Sequence, residues 1–160
     1  MDILDRLPQR IASLRVGRRI FEEPAAMQEK KSRASAWLDS VESILSRPLE
    51  ELLEDDQGWD WDLASFRLFL ATQECIDLLA HWIAGEDWCP PNDPASAFGL
   101  LADHAVIDQD LAIRLRKVVE LRDRISHGDF KDRAHLQGEY REGVVSLRRF
   151  LVAVAEKAGI

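Results

Sequence analysis

Residues 111–130 read LAIRLRKVVELRDRISHGDF, and the apolar side chains of this stretch recur at helical spacing. Leu111, Leu115 and Val118 form one stripe, and Arg122 stands where a leucine would continue it. Burying an unpaired guanidinium costs several kcal/mol. The stretch therefore predicts an amphipathic helix on which Arg122 faces either a carboxylate partner or a wet cleft.

The end of this helix is marked by a histidine followed by a glycine. A helix commonly ends at a residue in the left-handed conformation, which Gly128 can adopt easily. His127 directly precedes this glycine. Side chains five residues apart on a regular helix, such as those of Arg122 and His127, point about 140° away from each other. We therefore expect them to converge only if the helix stops at His127 or if a second subunit completes the site.

Length and composition indicate a single globular domain. The chain has 160 residues, enough to bury a core of its own, and contains two cysteines that form no ligand pair. No apolar run reaches transmembrane length, and the N-terminus mixes charged residues with leucine, unlike a signal peptide. We expect a soluble cytoplasmic protein that does not contact a membrane.

Charge is distributed unevenly along the chain. The net charge of −8 argues against a general nucleic-acid binder, but residues 1–36 carry +3, residues 37–110 carry −15 and residues 111–160 carry +4. A polyanion would meet the last third, and a basic partner would meet the middle. The alternative is that both regions are solvated helix faces.

The remaining long segments also predict helices, and no alternating pattern typical of strands competes with them. The predicted helices span residues 3–20, 24–46, 63–84, 97–102, 108–126 and 134–157. We expect an all-α fold, an antiparallel four- to five-helix up-and-down bundle. The domain would span residues 1–160, with 1–25 as a helical extension and 26–160 as the bundle.

A polar row interrupts the apolar helix predicted over residues 63–84. Glu74, Asp77 and His81 are spaced three and four apart and share one face, which Phe66 and Leu70 indicate to be inward. Carboxylates on this face would pair with an inward arginine from another helix. A metal site is the alternative, but the other histidines lie on separate elements, so we expect no metal and no cofactor.

One long stretch resembles the HepT-like proteins, a branch of the HEPN superfamily. It reads QECIDLLAHWIAGEDWCPPNDPASAFGLLADHAVIDQDLAIRLRKVVELRDRISHGDF, and the resemblance extends over about residues 30–157. It depends on the acidic central helix, the proline turn before AFGLL, the VIDQDLAIRL helix start, and an arginine separated by four residues from a histidine. The resemblance implies a HEPN-like helical bundle that forms a homodimer.

The resemblance also implies a function and a site. Known members include metal-independent ribonuclease toxins paired with a small nucleotidyltransferase antitoxin. The family's catalytic arginine and histidine fall on Arg122 and His127, and its following polar residue on Asp123. Its acidic positions on the central helix fall on Glu74 and Asp77.

At one position the sequence departs from the family pattern. Toxins of the family carry a tyrosine two residues after the histidine, where the transferase attaches AMP, and this chain has Asp129 there. A partner transferase would then mask the cleft or modify another hydroxyl, such as that of Ser126 or Tyr140.

These residue types suit RNA cleavage because RNA supplies its own nucleophile, the 2′-hydroxyl. Histidine transfers protons near neutral pH, and arginine stabilises charge on phosphate oxygens. In a dimer, two copies of Arg122 and His127 would line one cleft, with Asp123 or Glu74 orienting them. The residues expected to guide the RNA backbone are the cations Arg114, Arg116, Lys117, Arg124, Lys131 and Arg133.

Three other interpretations remain open. Arg122 would pair with Glu74 or Asp77 across the bundle while His127 only caps its helix. The protein would be a non-catalytic dimeric module that binds a nucleotidyltransferase or its substrate. It would be a free-standing helical protein whose site has decayed.

Overall fold

The computed structural model describes residues 24–54, 58–130 and 132–160, and within these ranges its regular structure is entirely α-helical. The predicted extension over residues 1–25 lies outside the described residues except for its last two, which begin the first helix. The helices are α1 (Pro24–Leu45), α2 (Leu49–Glu54), α3 (Trp59–Glu86), α4 (Pro94–Asp103), α5 (Gln109–Ser126) and α6 (Arg133–Ala158).

The longest helix, α3, runs through the middle of an antiparallel bundle and packs on α1, α4, α5 and α6. Its buried side chains occupy one broad face, which includes Leu68, Cys75, Leu78 and Trp82. Burying such side chains supplies roughly 1.5–3 kcal/mol each for the large aliphatic ones. These packed helices confirm the all-α bundle predicted from the sequence.

Polar side-chain contacts join α1 and α3, which run antiparallel. Arg33 Nε donates to Glu74 Oε1 over 2.8 Å, and Lys30 Nζ donates to Asp77 Oδ2 over 3.4 Å. Near the other end of α1, Arg67 of α3 donates to the Ser40 hydroxyl.

Aromatic side chains fix α6 against its neighbours. The fully buried rings of Trp61 and Tyr140 stack with centroids 4.9 Å apart. Phe98 of α4 meets Phe150 of α6 edge-on, with centroids 5.3 Å apart.

The predicted limits of α3 were wrong at both ends. The helix begins at Trp59, after Gly58 in a left-handed conformation (φ 65°), and not at residue 63. It then continues through Gly85 and ends at Glu86, where Asp87 takes the left-handed conformation (φ 59°). The earlier start places Trp61 on the helix face that packs against Tyr140.

The other predicted helices that fall within the described residues agree with the structure to within a few residues. The short α2 was not among the predicted helices. Asp93, Asp108 and Asp132 cap α4, α5 and α6 by accepting backbone N–H bonds three residues on. Among the described residues, no helix is both long and apolar enough to cross a membrane.

Candidate active site

The C-terminal end of α5 has the geometry that its sequence predicts. His127 is the C-cap, and Gly128 follows in the left-handed conformation (φ 68°). Gly128 N–H donates to the Ile125 carbonyl and Asp129 N–H donates to the Arg124 carbonyl, each over 3.0 Å. These two bonds form a Schellman motif, which ends the helix at the histidine.

His127 is exposed, and one of its ring nitrogens is already engaged. Nδ1 lies 2.6 Å from the backbone carbonyl oxygen of Asp123. A carbonyl only accepts, so Nδ1 carries the proton in this contact. The Ser126 hydroxyl donates to the same oxygen over 2.8 Å. This arrangement fixes the imidazole ring and directs Nε2 away from the helix.

Arg122 is half-buried and forms no hydrogen bond or ion pair with Glu74 or Asp77. Its side chain is 18% exposed. Nε and Nη2 donate to Asp123 Oδ1 over 3.1 and 2.7 Å, and Nη1 donates to Gln73 Oε1 of α3 over 2.9 Å. The cross-bundle ion pair considered from the sequence is therefore not formed.

Asp123 connects the two candidate catalytic residues. Its carboxylate accepts from Arg122, and its backbone carbonyl accepts from His127. The two side chains point in different directions on a regular helix, yet both are fixed by one residue between them.

Glu74 and Asp77 were expected near Arg122 and instead face α1. The Glu74 carboxylate is 17% exposed and bonds to Arg33, with Lys30 at 3.9 Å. Asp77 pairs with Lys30 and is otherwise in solvent, its side chain 55% exposed. The face carrying them is not the inward face that the sequence suggested, because Phe66 on the same face is 57% exposed. Within the described ranges, no three His, Cys, Asp or Glu side chains come together as a metal site would need.

The expected RNA-guiding cations lie on another side of α5. Arg114, Lys117 and Arg124 line a groove of about 520 Å³ between α5 and α6, together with four carboxylates. Arg114 donates to Asp110 over 2.9 Å, which holds the pKa of that carboxyl below its usual range.

Arg124 pairs with a carboxylate of the same groove, whereas Arg133 lies elsewhere. Arg124 donates to Glu139 over 2.6 Å. The guanidinium of Arg133 lies against Gly58, which precedes α3. Lys131 lies outside the described residues. The described members of the set are therefore not gathered around Arg122 and His127.

The alternative hydroxyls differ in accessibility. Asp129 and Ser126 are both exposed beside His127. Tyr140 is fully buried, and its hydroxyl lies 2.7 Å from that of Ser65. Burial raises the pKa of Tyr140 to about 12 despite this hydrogen bond. A transferase would therefore not reach the Tyr140 hydroxyl in the folded protein, and Ser126 is the accessible one of the two.

An exposed apolar stripe on α3 was missed from the sequence. Trp59, Leu63 and Phe66 are 71%, 38% and 57% exposed, and the half-buried Leu70 continues the stripe to Gln73, the partner of Arg122. From Trp59 through Leu63, Phe66 and Leu70 to Gln73, the spacings are four, three, four and three residues. This helical repeat is the sequence signal that could have revealed the stripe. We call these four apolar residues the α3 stripe.

Comparison with known proteins identifies the family. The family model described as "Ribonuclease HepT-like" matches residues 38–153, from the middle of α1 almost to the end of α6. The chain belongs to the HepT-like family. Arg122, Asp123 and His127 all lie within the matched region. A search of curated protein sequences finds no match.

Solved structures share the HepT-like fold of this chain at 18% sequence identity. A toxin–antitoxin structure with AMP-PNP aligns over 81% of this chain and 97% of its own, with a TM-score of 0.71. A mutant MntA–HpeT toxin–antitoxin structure gives the same coverages and a TM-score of 0.70. A third solved structure is that of a tri-AMPylated Shewanella oneidensis HEPN toxin in complex with MNT antitoxin. It aligns over 81% of this chain and 96% of its own, with a TM-score of 0.71. At this identity the likeness shows the fold.

Proposed function

We propose that this HepT-like protein is a metal-independent endoribonuclease and the toxin of a toxin–antitoxin pair. One observation carries the proposal: an exposed histidine and a half-buried arginine are fixed by the same residue, Asp123, at one helix end. A general acid–base group and a guanidinium are the two groups that cleavage by the RNA's own hydroxyl requires.

The proposed reaction follows from the free atoms of the site. His127 Nε2 takes the proton of the 2′-hydroxyl, and the resulting oxygen attacks the adjacent phosphorus. The bond from phosphorus to the 5′-oxygen breaks, which leaves a 2′,3′-cyclic phosphate and a 5′-hydroxyl. Arg122 stabilises the charge that develops on the phosphate oxygens.

The leaving 5′-oxygen needs a proton, and a second histidine would supply it. A homodimer that brings together two α5 ends would provide one histidine as base and one as acid. The α3 stripe supports such a dimer, because contiguous exposed apolar side chains mark protein interfaces and this stripe reaches the Arg122 site through Gln73.

The proposed protein partner is a nucleotidyltransferase antitoxin, and the proposed location is the cytoplasm. The fold neighbours support the partner, since one is described as an AMPylated HEPN toxin in complex with an MNT antitoxin. The proposed substrate is RNA, and the proposed reaction uses no cofactor.

A second candidate function is a non-catalytic dimeric module that binds the transferase or its substrate. It is favoured by one observation, the neutralisation of Arg114 and Arg124 by Asp110 and Glu139. These pairs reduce the positive charge available to an RNA backbone near α5.

Expression in cells tests the two candidates against each other. We expect wild-type protein to arrest growth and degrade RNA, and Arg122→Ala and His127→Ala to do neither. Arg124→Ala is the matched control, because this arginine lies two residues from Arg122 but faces Glu139. Normal growth with intact RNA would contradict the ribonuclease and favour the binding module.

A further inference from the structure

Gln73 of α3 is the residue that holds Arg122 from across the bundle. Its Oε1 accepts the hydrogen bond from Arg122 Nη1 over 2.9 Å, and its side chain is half-buried. We propose that Gln73 is a positioning residue for the phosphate-binding guanidinium. This inference rests on the proposed ribonuclease function.

The hydrogen-bond count shows what the contact achieves. A guanidinium has five N–H donors. Asp123 takes one on Nε and one on Nη2, and Gln73 takes one on Nη1. One donor remains on each terminal nitrogen, which suits two oxygens of a single phosphate. Asp123 fixes one edge of the guanidinium, and Gln73 fixes its remaining rotation.

The chemistry of the acceptor also matters. An amide oxygen orients a cation without neutralising it, whereas a second carboxylate would compete with the phosphate for the same charge. Glu74, the next residue, is turned to α1 and bonds to Arg33 over 2.8 Å. The helix thus presents an amide to Arg122 and directs the adjacent carboxylate elsewhere.

Kinetics of RNA cleavage by two variants test the proposal. Gln73→Ala should lower kcat/KM by about tenfold to a hundredfold, since a hydrogen bond to a charged group is lost. Gln73→Glu should keep Arg122 in place but raise KM, because the added charge opposes phosphate binding. Gln28→Ala, an exposed glutamine of α1, is the matched control and should behave as wild type.

A readout independent of cleavage separates this proposal from the proposed function. We would follow the Arg122 side-chain N–H signals by NMR while adding inorganic phosphate. Gln73→Ala should broaden these signals and weaken phosphate binding, with helical content unchanged. Wild type that cleaves no RNA but shows this change would overturn the ribonuclease and keep the positioning role. Unchanged signals and unchanged kcat/KM in Gln73→Ala would overturn the positioning role.

Discussion

Asp123 determines the geometry of the candidate site, because its two kinds of oxygen hold different partners. The carboxylate bonds to Arg122, and the backbone carbonyl bonds to Nδ1 of His127. Only the first contact depends on the side chain. An amide at this position would keep an acceptor for Arg122 but remove the negative charge, whereas the contact to His127 would be unaffected.

The ionisation of Tyr140 provides a test of the core. It is the single tyrosine, so phenolate absorbance reports on it alone. Burial raises its pKa to about 12, above the value of about 10 expected in the unfolded chain. The neutral form is favoured in the folded state, so its contribution to the free energy of unfolding is complete below pH 10. That contribution, roughly 2–3 kcal/mol, is lost as pH rises toward 12.

We therefore expect a spectrophotometric titration of the folded protein to show no phenolate below about pH 11. Tyr140→Phe should lose this part of the alkaline dependence, at a cost of roughly 1 kcal/mol for the lost bond to Ser65. A titration midpoint near 10 in protein that is still folded would show that Tyr140 is accessible to solvent.

Asp129 follows Gly128 at the position where toxins of the family carry the modified tyrosine, so we expect a transferase to attach no AMP there. A carboxylate cannot form the stable phosphodiester that a tyrosine hydroxyl forms with AMP. After co-expression with a neighbouring transferase, intact mass spectrometry should therefore show no AMP on Asp129. The buried Tyr140 should also remain unmodified, which leaves Ser126 as the exposed hydroxyl beside His127.

The companion variant is Asp129→Tyr, which should gain AMP if the helix end has kept the family geometry. An adduct mapped to Asp129 in the wild type would contradict the prediction. Failure to modify Asp129→Tyr would show that more than one side chain has diverged.

The sequence predicted part of this site because part of it is local. Arg122 interrupts an apolar stripe, and Gly128 requires a helix end, so both signals lie within a few residues. The partners of these residues come from other helices. Nothing in the sequence distinguishes Gln73 from Glu74 as the partner of Arg122, because the rotation of α3 is fixed by packing along its whole length.

At the scale of single elements, the end of α5 depends on one backbone conformation. A Cβ at Gly128 would meet no atom within 4 Å, so the cost of Gly128→Ala is the positive φ of 68° alone. We expect a loss of about 1 kcal/mol in the free energy of unfolding, measured with urea.

Gly138→Ala is the matched control within α6. The added Cβ also meets no atom within 4 Å, and its φ lies in the ordinary helical range. Alanine there should stabilise the protein by roughly 0.5–1 kcal/mol. Equal effects at the two glycines would contradict the described helix end.

The start of α5 was predictable because a side chain caps it, and the start of α3 was not because no side chain does. Asp108 is a recognisable N-cap for α5, and its carboxylate accepts the Leu111 N–H over 2.7 Å. The start of α3 has no side-chain cap and follows Gly58. It is favoured by the burial of Trp61 against Tyr140, a contact between residues far apart in sequence.

At the scale of the whole molecule, the α3 stripe predicts self-association. Light scattering at micromolar concentration should give the mass of a homodimer. Phe66→Glu places a charge on a side chain that is 57% exposed and should give a folded monomer. The dissociation constant of the dimer should be at least a hundredfold higher in this variant than in the wild type.

Val152→Glu on α6 is the control for that experiment, since this valine is 56% exposed but lies outside the stripe. It should remain dimeric. A monodisperse monomer of the wild type would contradict the dimer, and loss of dimer in Val152→Glu alone would place the interface on α6.

The chemistry of the RNA ends that the purified protein produces is the most direct test of catalysis by Arg122 and His127. Wild type in excess EDTA should cleave RNA and leave 2′,3′-cyclic phosphate and 5′-hydroxyl ends. Arg122→Ala and His127→Ala should each reduce the rate by about a hundredfold or more while remaining helical. Loss of cleavage in EDTA, products with other ends, or full activity in either variant would contradict catalysis by Arg122 and His127.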